Sequence, residues 1–406
     1  MPHPHFFPYN GSMMKRIFSA AAAAILIFLT GWTQIIPLKA ESALSSDIVS
    51  DYAYVFDTDT SQVLMDKNAE EKMYPASMTK IMTAIIVIEN DDDLDRHITI
   101  TSDMLAGLAE MNASVAGFQE NDDPTVRDLL YGLALPSGAD AANALAIDLC
   151  GDIPSFVERM NQKALALDLN STHFANVTGL HDDDHYSTAK DIGRLLQYCI
   201  QDPIFAEIFS SASYTTSSLP SAGNGIVLRS TAFQAIASNG YSVDGFIGAK
   251  TGYTDEAGHC MASWDTVNDM HLIAVTAHAD TSIYASTHIQ DLETILNDLH
   301  AYEKKNILSA DDPLKDIAVH ALFHSYAQTI YVPQDLILDV PSDADIEYTS
   351  DLPDEIDLSN DDQEIAYTVR ISVNGALYQE YAETCMIPKD TNPITRILRS
   401  IKNLFQ

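Results

Sequence analysis

The chain has 406 residues, 46% hydrophobic and 20% charged, which is globular usage in a chain long enough for more than one domain. Its 58 acidic and 22 basic side chains leave a formal net charge of −36, which excludes a nucleic-acid partner because phosphate contacts need clustered Lys and Arg. Cys150, Cys199, Cys260 and Cys385 are widely spaced and form no C-x-x-C pair, so no zinc or redox motif is supported and buried free thiols are expected.

In chain order, residues 1–40 contain no Asp or Glu. Lys15 and Arg16 precede an apolar run from Ile17 to Leu29, and Pro37-Leu38-Lys39-Ala40 then leads into polar sequence. That order predicts a secretory signal peptide over 1–40, since the apolar core is short of the ~20 residues a spanning helix needs. Residues 52–65 read as a strand pair about the polar Asp57–Thr60 turn. From Pro75 onward, Met78, Ile81, Met82, Ile85 and Ile86 recur at helical spacing. Residues 124–149 predict two helices joined at Leu135-Pro136-Ser137-Gly138, and 187–201 a third. Strands follow at about 258–264 and 270–277, then a helix with Ile289, Leu292, Ile295, Leu296 and Leu299 as its stripe. This order predicts an α+β domain over 44–305, an antiparallel sheet beside a helical region.

Composition shifts at 305–313. Beyond it lie strand candidates at 328–332 and 336–340 and the alternating run Ile365, Tyr367, Val369, Ile371, Val373, which ends at the hairpin turn Asn374-Gly375. A small all-β domain over 313–388 is expected. The last segment, 392–406, sets Ile394, Ile397, Leu398 and Ile401 against Arg396, Arg399 and Lys402. In so acidic a chain it reads as an amphipathic helix for an anionic membrane surface.

Ser77-Met78-Thr79-Lys80 places a serine and a lysine three apart on a predicted helix, on one face. A lysine held neutral by burial there can take the serine's proton. The spacing alone is weak: Ser12/Lys15 and Ser187/Lys190 also match. The first precedes the apolar signal core, and the second sits in a His/Asp-rich stretch that reads as surface. Ser77 alone opens a long apolar helix. Lys250-Thr251-Gly252 occurs once and reads as a strand edge, with Gly252 letting a substrate backbone approach and Lys250 and Thr251 donating to a carboxylate. Ser137 falls on an interhelical loop, where its hydroxyl can face a cleft. His181 and His185 read as surface turn residues and His259 as structural; no metal or cofactor is expected.

S-x-x-K, a central S-x-N and a late K-T-G, in that order, mark penicillin-recognising serine enzymes; here the central stretch reads Ser137-Gly138-Ala139. Pro75 to Ala84, Leu135 to Gly138 with Asp140 to Ala146, and Gly248 to Thr254 closely resemble the D-alanyl-D-alanine carboxypeptidases among the low-molecular-mass penicillin-binding proteins. Asn176 to Leu180 and Tyr186 to Ala189 are also similar to that family. The resemblance covers about residues 45–300 and implies a penicillin-binding/β-lactamase-like fold. It implies Ser77 as nucleophile, Lys80 as general base and Ser137 as proton relay. The backbone N–H groups of Ser77 and Tyr253 would form the oxyanion hole, and Lys250 and Thr251, beside Gly252, would hold the substrate carboxylate. Peptidoglycan stem pentapeptides would be the substrate, β-lactams would acylate Ser77, and the enzyme would act outside the cytoplasmic membrane. One position departs: the family's central motif usually ends in Asn, which orients the lysine and the substrate amide, and here it is Ala139. Asn143 lies one helical turn later. That departure keeps open a weakly active or non-catalytic wall-binding homologue. A β-lactamase is less favoured, since no E-x-x-x-N segment stands where its deacylating glutamate belongs.

Overall fold

The computed structural model describes residues 44, 47–279, 282, 286–321, 324–358 and 363–387. The expected signal segment and the expected C-terminal helix lie outside the described residues. Among those residues no helix is long and apolar enough to cross a membrane.

Strands β1 (Tyr52–Asp57) and β2 (Val63–Lys67) pair antiparallel, as the early aromatic and β-branched run predicts. A 3-10 turn over Ala76–Thr79 leads into α1 (Lys80–Asn90), whose residues 80–88 are all buried. A helix apolar on every side belongs in the core, and α1 is the centre of the helical region. Around it come α2 (Ser102–Leu105), α3 (Val126–Ala134), α4 (Ala139–Cys150), α5 (Ile153–Ala166), α6 (Ala189–Cys199) and α7 (Pro203–Phe209). Side-chain caps set several starts: Thr125 and Asp128 form a capping box on α3, and Asp152, Thr188 and Asp202 accept N–H groups at the starts of α5, α6 and α7. The chain then makes β3 (Ser213–Thr215), β4 (Val227–Arg229), α8 (Thr231–Asn239), β5 (Phe246–Thr254), β6 (Gly258–Val267), β7 (Met270–Ala277) and α9 (Thr287–Leu299).

The main sheet runs β2-β1-β7-β6-β5, antiparallel throughout, with β5 at one edge. Its two faces serve two cores because side chains alternate along a strand. Tyr54, Phe56, Ala262, Ile273 and Val275 pack on the helical region. Val55, Met261, Leu272 and Ala274 pack on the other side against Ile289, Leu292, Ile295, Leu296 and Leu299, the stripe read from the sequence. The α+β expectation holds. All four cysteines are free; Cys199 and Cys260 are buried as expected, but Cys150 and Cys385 only partly.

After α9 the chain is all strand: β8 (Tyr302–Leu308), β9 (Pro313–Ala321), β10 (His324–Tyr331), β11 (Leu336–Pro341), β12 (Ile346–Ser350), β13 (Glu355–Leu358), β14 (Gln363–Val373) and β15 (Ala376–Ile387). Small sheets ordered β10-β9-β13, β11-β8 and β12-β14-β15 enclose a separate core that includes Ile317, Val319, Leu338, Val340 and Ile371. β14 and β15 are joined at Asn374 and Gly375, both at positive φ (52° and 80°), as a type I′ hairpin turn requires.

Candidate active site

Ser77 lies in the 3-10 turn and Lys80 begins α1, so the two side chains stand one turn apart. Lys80 Nζ is 2.9 Å from Ser77 Oγ and donates to the Thr178 carbonyl at 2.6 Å. Only 3% of Lys80 is exposed. Burial pushes its pKa down to about 7, although the Asp140 carboxylate opposes the shift. The Thr178 carbonyl is held in place by an Asx turn in which Asn176 Oδ1 accepts from Thr178 N, Thr178 Oγ1 and Gly179 N.

The nucleophile turn is wedged between that segment and β5. A Cβ added to Gly252 would meet Ser77 N at 2.7 Å and Ala76 Cβ at 2.9 Å. Here the strand edge needs glycine for close approach, as the K-T-G pattern suggests.

A second serine–lysine pair faces the first. Lys250 Nζ donates to Ser137 Oγ at 2.9 Å and to the Thr251 carbonyl at 2.8 Å. Burial holds Lys250 well below the ordinary lysine range, and the neighbouring Lys80 charge adds to the effect. Ser137 is 6% exposed and sits at φ +64°, a backbone region unusual for a side chain with a Cβ. The loop opposite is fixed by Asp140, whose carboxylate accepts N–H groups from Ala116, Gly117 and Phe118 at 2.8–3.1 Å. Ala139 is buried and its N–H donates to the Ser114 carbonyl at 2.8 Å. Asn143, one turn on, donates to the Met104 carbonyl at 3.2 Å and packs on α2, not on the lysines.

A cleft of about 720 Å³ opens over these groups, lined by Ser77, Ser137, Thr251, Gly252 and Tyr253 from the sequence reading. Lys80 and Lys250 stand behind their serines, buried. The cleft also takes Asn112, Ser114, Leu180, His181, Thr231 and His288, which the sequence reading did not single out for it. They come from loops and helix starts brought together only by the fold, and no local spacing marks them.

Two surface readings are corrected. His185 is 2% exposed: its Nδ1 accepts from Ala175 N at 3.0 Å, and its Nε2 lies 2.7 Å from Thr79 Oγ1, which donates to the Ala76 carbonyl at 2.8 Å. This relay braces the nucleophile turn. Ser187 is fully buried, bonded to Thr172 Oγ1 at 2.8 Å. His181 lines the cleft, its ring edge-on to Tyr74. Among the described residues no three His, Cys, Asp or Glu side chains are grouped to hold a metal.

A serine hydroxyl paired with a buried lysine three residues on, beside the edge of an antiparallel sheet, defines an active-site-serine acyl-transfer enzyme. The chain belongs to the D-alanyl-D-alanine carboxypeptidase family, whose profile matches residues 39–281. It is 31% identical over 279 residues to the D-alanyl-D-alanine carboxypeptidase DacF of Bacillus subtilis, spanning 66% of this chain and 67% of that protein. It is 33% identical over 272 residues to DacC of Escherichia coli, spanning 64% of each. The crystal structure of the Streptomyces K15 DD-transpeptidase matches with a TM-score of 0.56 at 29% identity, over 63% of this chain and 98% of that one. Strands β8 to β15 lie beyond the residues matched by the family profile.

Proposed function

We propose that the chain removes the terminal D-alanine from peptidoglycan stem pentapeptides by acyl transfer through Ser77. The observation that carries this reading is the hydrogen bond between Ser77 and a lysine whose burial brings its pKa down to about 7, so that a substantial share of the amine is neutral there, beside a cleft bordered by the β5 sheet edge. The neutral Lys80 amine accepts the Ser77 proton as Oγ bonds to the carbonyl carbon of the penultimate residue. The backbone N–H groups of Ser77 and Tyr253 receive the oxyanion, a role typically worth about 3 kcal/mol per donor. The C–N bond then breaks, and the departing amine takes the proton that Lys80 accepted, relayed through Ser137. Water next attacks the ester: Lys80 takes a proton from it and returns one to Ser77 Oγ, releasing the shortened peptide as its acid. Lys250 and Thr251 hold the terminal carboxylate, with Gly252 and Tyr253 along the substrate strand.

β-Lactams would acylate the same serine. Ala139 is compatible with turnover, because both serine–lysine pairs form without an amide side chain there. In this reading residues 44–305 are the catalytic domain and 313–388 an accessory one. The segment 1–40 exports the chain, and 392–406 rests on the outer face of the cytoplasmic membrane.

Mass spectrometry of pentapeptide incubated with the chain and with Ser77→Ala tests the reaction. One D-alanine is lost with the intact serine and none with alanine, and the acylation rate declines as pH falls through about 7 because Lys80 becomes protonated. A folded protein that releases no D-alanine over roughly pH 6–9 would overturn the reading.

A further inference from the structure

A second cavity, of about 290 Å³, adjoins the catalytic cleft, and Glu256 lines both. Its walls come from four places: Tyr52 at the start of β1, Lys72 to Tyr74 ahead of the nucleophile turn, His278 just past β7, and Glu256 with Ala257 in the turn between β5 and β6. The two basic groups are already engaged. Lys72 Nζ lies 4.0 Å from the centre of the Tyr186 ring and donates to the Asp183 carbonyl at 3.4 Å, and His278 Nδ1 is 2.6 Å from Asp51 Oδ2. Glu256 is a group that the mechanism leaves unused. Its side chain is 46% exposed, and its carboxylate is 3.8 Å from His181 Nδ1, beyond hydrogen-bond reach.

The direction of the substrate leads to this cavity. With the terminal carboxylate at Lys250 and Thr251 and the scissile carbonyl at the Tyr253 N–H, the peptide runs antiparallel to β5, the edge strand of its sheet. The residue before D-alanyl-D-alanine then lies opposite Thr254. Glu256 is two residues farther on, roughly 7 Å at the rise of a strand. A long unbranched side chain spans that distance and ends at the boundary between cleft and cavity. There it meets an exposed carboxylate beside two tyrosine rings, a combination that favours a cation. An anion would face Glu256 with Lys72 and His278 already taken.

We propose that Glu256 is a specificity-determining residue for the substrate position before D-alanyl-D-alanine, and that the cavity beside it takes a side chain ending in a primary ammonium. The inference rests on the Ser77 acyl-transfer reading for where the peptide lies. The Glu256 carboxylate accepts from the ammonium, and the Tyr52 and Tyr74 rings border it. Acylating the amine removes both attractions, and a side chain ending in a carboxylate meets Glu256 with like charge. Asp255, one residue earlier, accepts from the Tyr253 hydroxyl at 3.1 Å and lines the cleft but not the second cavity, so it is not the receiving group.

The test uses the full chain carrying Ser77→Ala, so that binding is read without turnover, at about pH 8, where an ordinary imidazole is neutral. Calorimetric titration compares Nα-acetyl-lysyl-D-alanyl-D-alanine with the same peptide acetylated on the lysine side chain as well. The free amine binds about 5- to 30-fold more tightly. Glu256→Gln, an exposed and nearly isosteric change, removes most of that preference and leaves binding of the doubly acetylated peptide nearly unchanged. Glu256→Lys inverts the preference, and Asp255→Asn keeps it. No preference for the free amine, a preference that survives Glu256→Gln, one lost with Asp255→Asn instead, or equal weakening of both peptides overturns the proposal. D-Alanine release by the Ser77-intact chain is scored separately on both peptides. A Glu256-dependent preference without release from either peptide sinks the acyl-transfer reading alone; release without that dependence sinks this one alone.

Discussion

Gly179 holds φ at +80°, and a Cβ there would lie 1.8 Å from the Ala76 carbonyl oxygen and 2.9 Å from Ser77 N. A backbone conformation that disfavours a side chain thus coincides with contact on the nucleophile turn. Gly179→Ala must move either residues 76–77 or residues 178–180. Because the Thr178 carbonyl holds Lys80 Nζ, both movements disturb the 2.9 Å contact with Ser77. D-Alanine release should fall about 100-fold, since misplacement of this order has such an effect on a positioned pair. Thermal melts run in parallel should show a folded protein. Wild-type turnover in that variant would mean that the turn is not set by this contact. At this scale the sequence was readable where chemistry follows one local spacing: Ser77 with Lys80 is a single helical turn, and Lys250-Thr251-Gly252 a single strand edge. Asn112, Ser114 and Thr231 were unreadable because they reach the cleft from loops and a helix start that only the fold brings together.

Periodicity made α1, α9 and the β14–β15 hairpin legible, because the pattern that buries each of them is contained within its own few turns or strands. Within 181–187, His185 and Ser187 were misread for the opposite reason. The three aspartates and two histidines of residues 181–187 have the composition of a surface loop, yet Ser187 pairs with Met73 through both backbone groups and His185 reaches Thr79. Those partners lie about a hundred residues away and composition cannot show them. The burial of His185 has a pH signature. Burial lowers its pKa from 6.5 to about 4, so the unfolded chain takes up a proton first as pH falls. This group leaves stability level above about pH 6.5 and lowers it between there and about pH 4, by up to about 3 kcal/mol. His185→Gln removes that proton uptake. Its melting temperature should be lower than wild type at about pH 7.5, from the weakened brace, but should decline less on going to about pH 5. Parallel acid slopes in the two proteins would rule out His185 as the source.

At the scale of the whole molecule, the catalytic part and the all-β part meet through an amide paired with a backbone. Gln62 Nε2 donates to the Asp339 carbonyl at 2.8 Å, and Gln62 Oε1 accepts from Asp339 N at 2.8 Å. The Tyr378 hydroxyl donates to the same carbonyl at 2.6 Å. Beside this clamp Lys304 bridges Asp57 and Asp59 at 2.9 and 2.8 Å. Asp57 and Asp339 are fully buried, and Asp339 Oδ1 has no hydrogen-bond partner among the described residues. The buried carboxylates thus crowd a single ammonium. Burial first, then the Asp57 charge, raises the Asp339 pKa to about 7, with Lys304 opposing. An acid whose folded pKa exceeds its unfolded value of about 3.8 contributes stability that is complete below that value and lost as pH rises through about 7. The junction should therefore weaken on the alkaline side. Asp339→Asn keeps the backbone pairing and the shape but removes the charge. Gln62→Ala instead loses two hydrogen bonds at any pH, roughly 1–3 kcal/mol together. Neither residue lines the cleft, so D-alanine release at a temperature where both variants are folded should match wild type. Melting temperatures measured from about pH 5.5 to about pH 8.5 should show Asp339→Asn gaining on wild type as pH rises, with Gln62→Ala below wild type throughout. A gap between Asp339→Asn and wild type that stays constant or shrinks towards alkaline pH would mean that the fold does not hold a proton on Asp339, and that the junction is set by the Gln62 clamp alone.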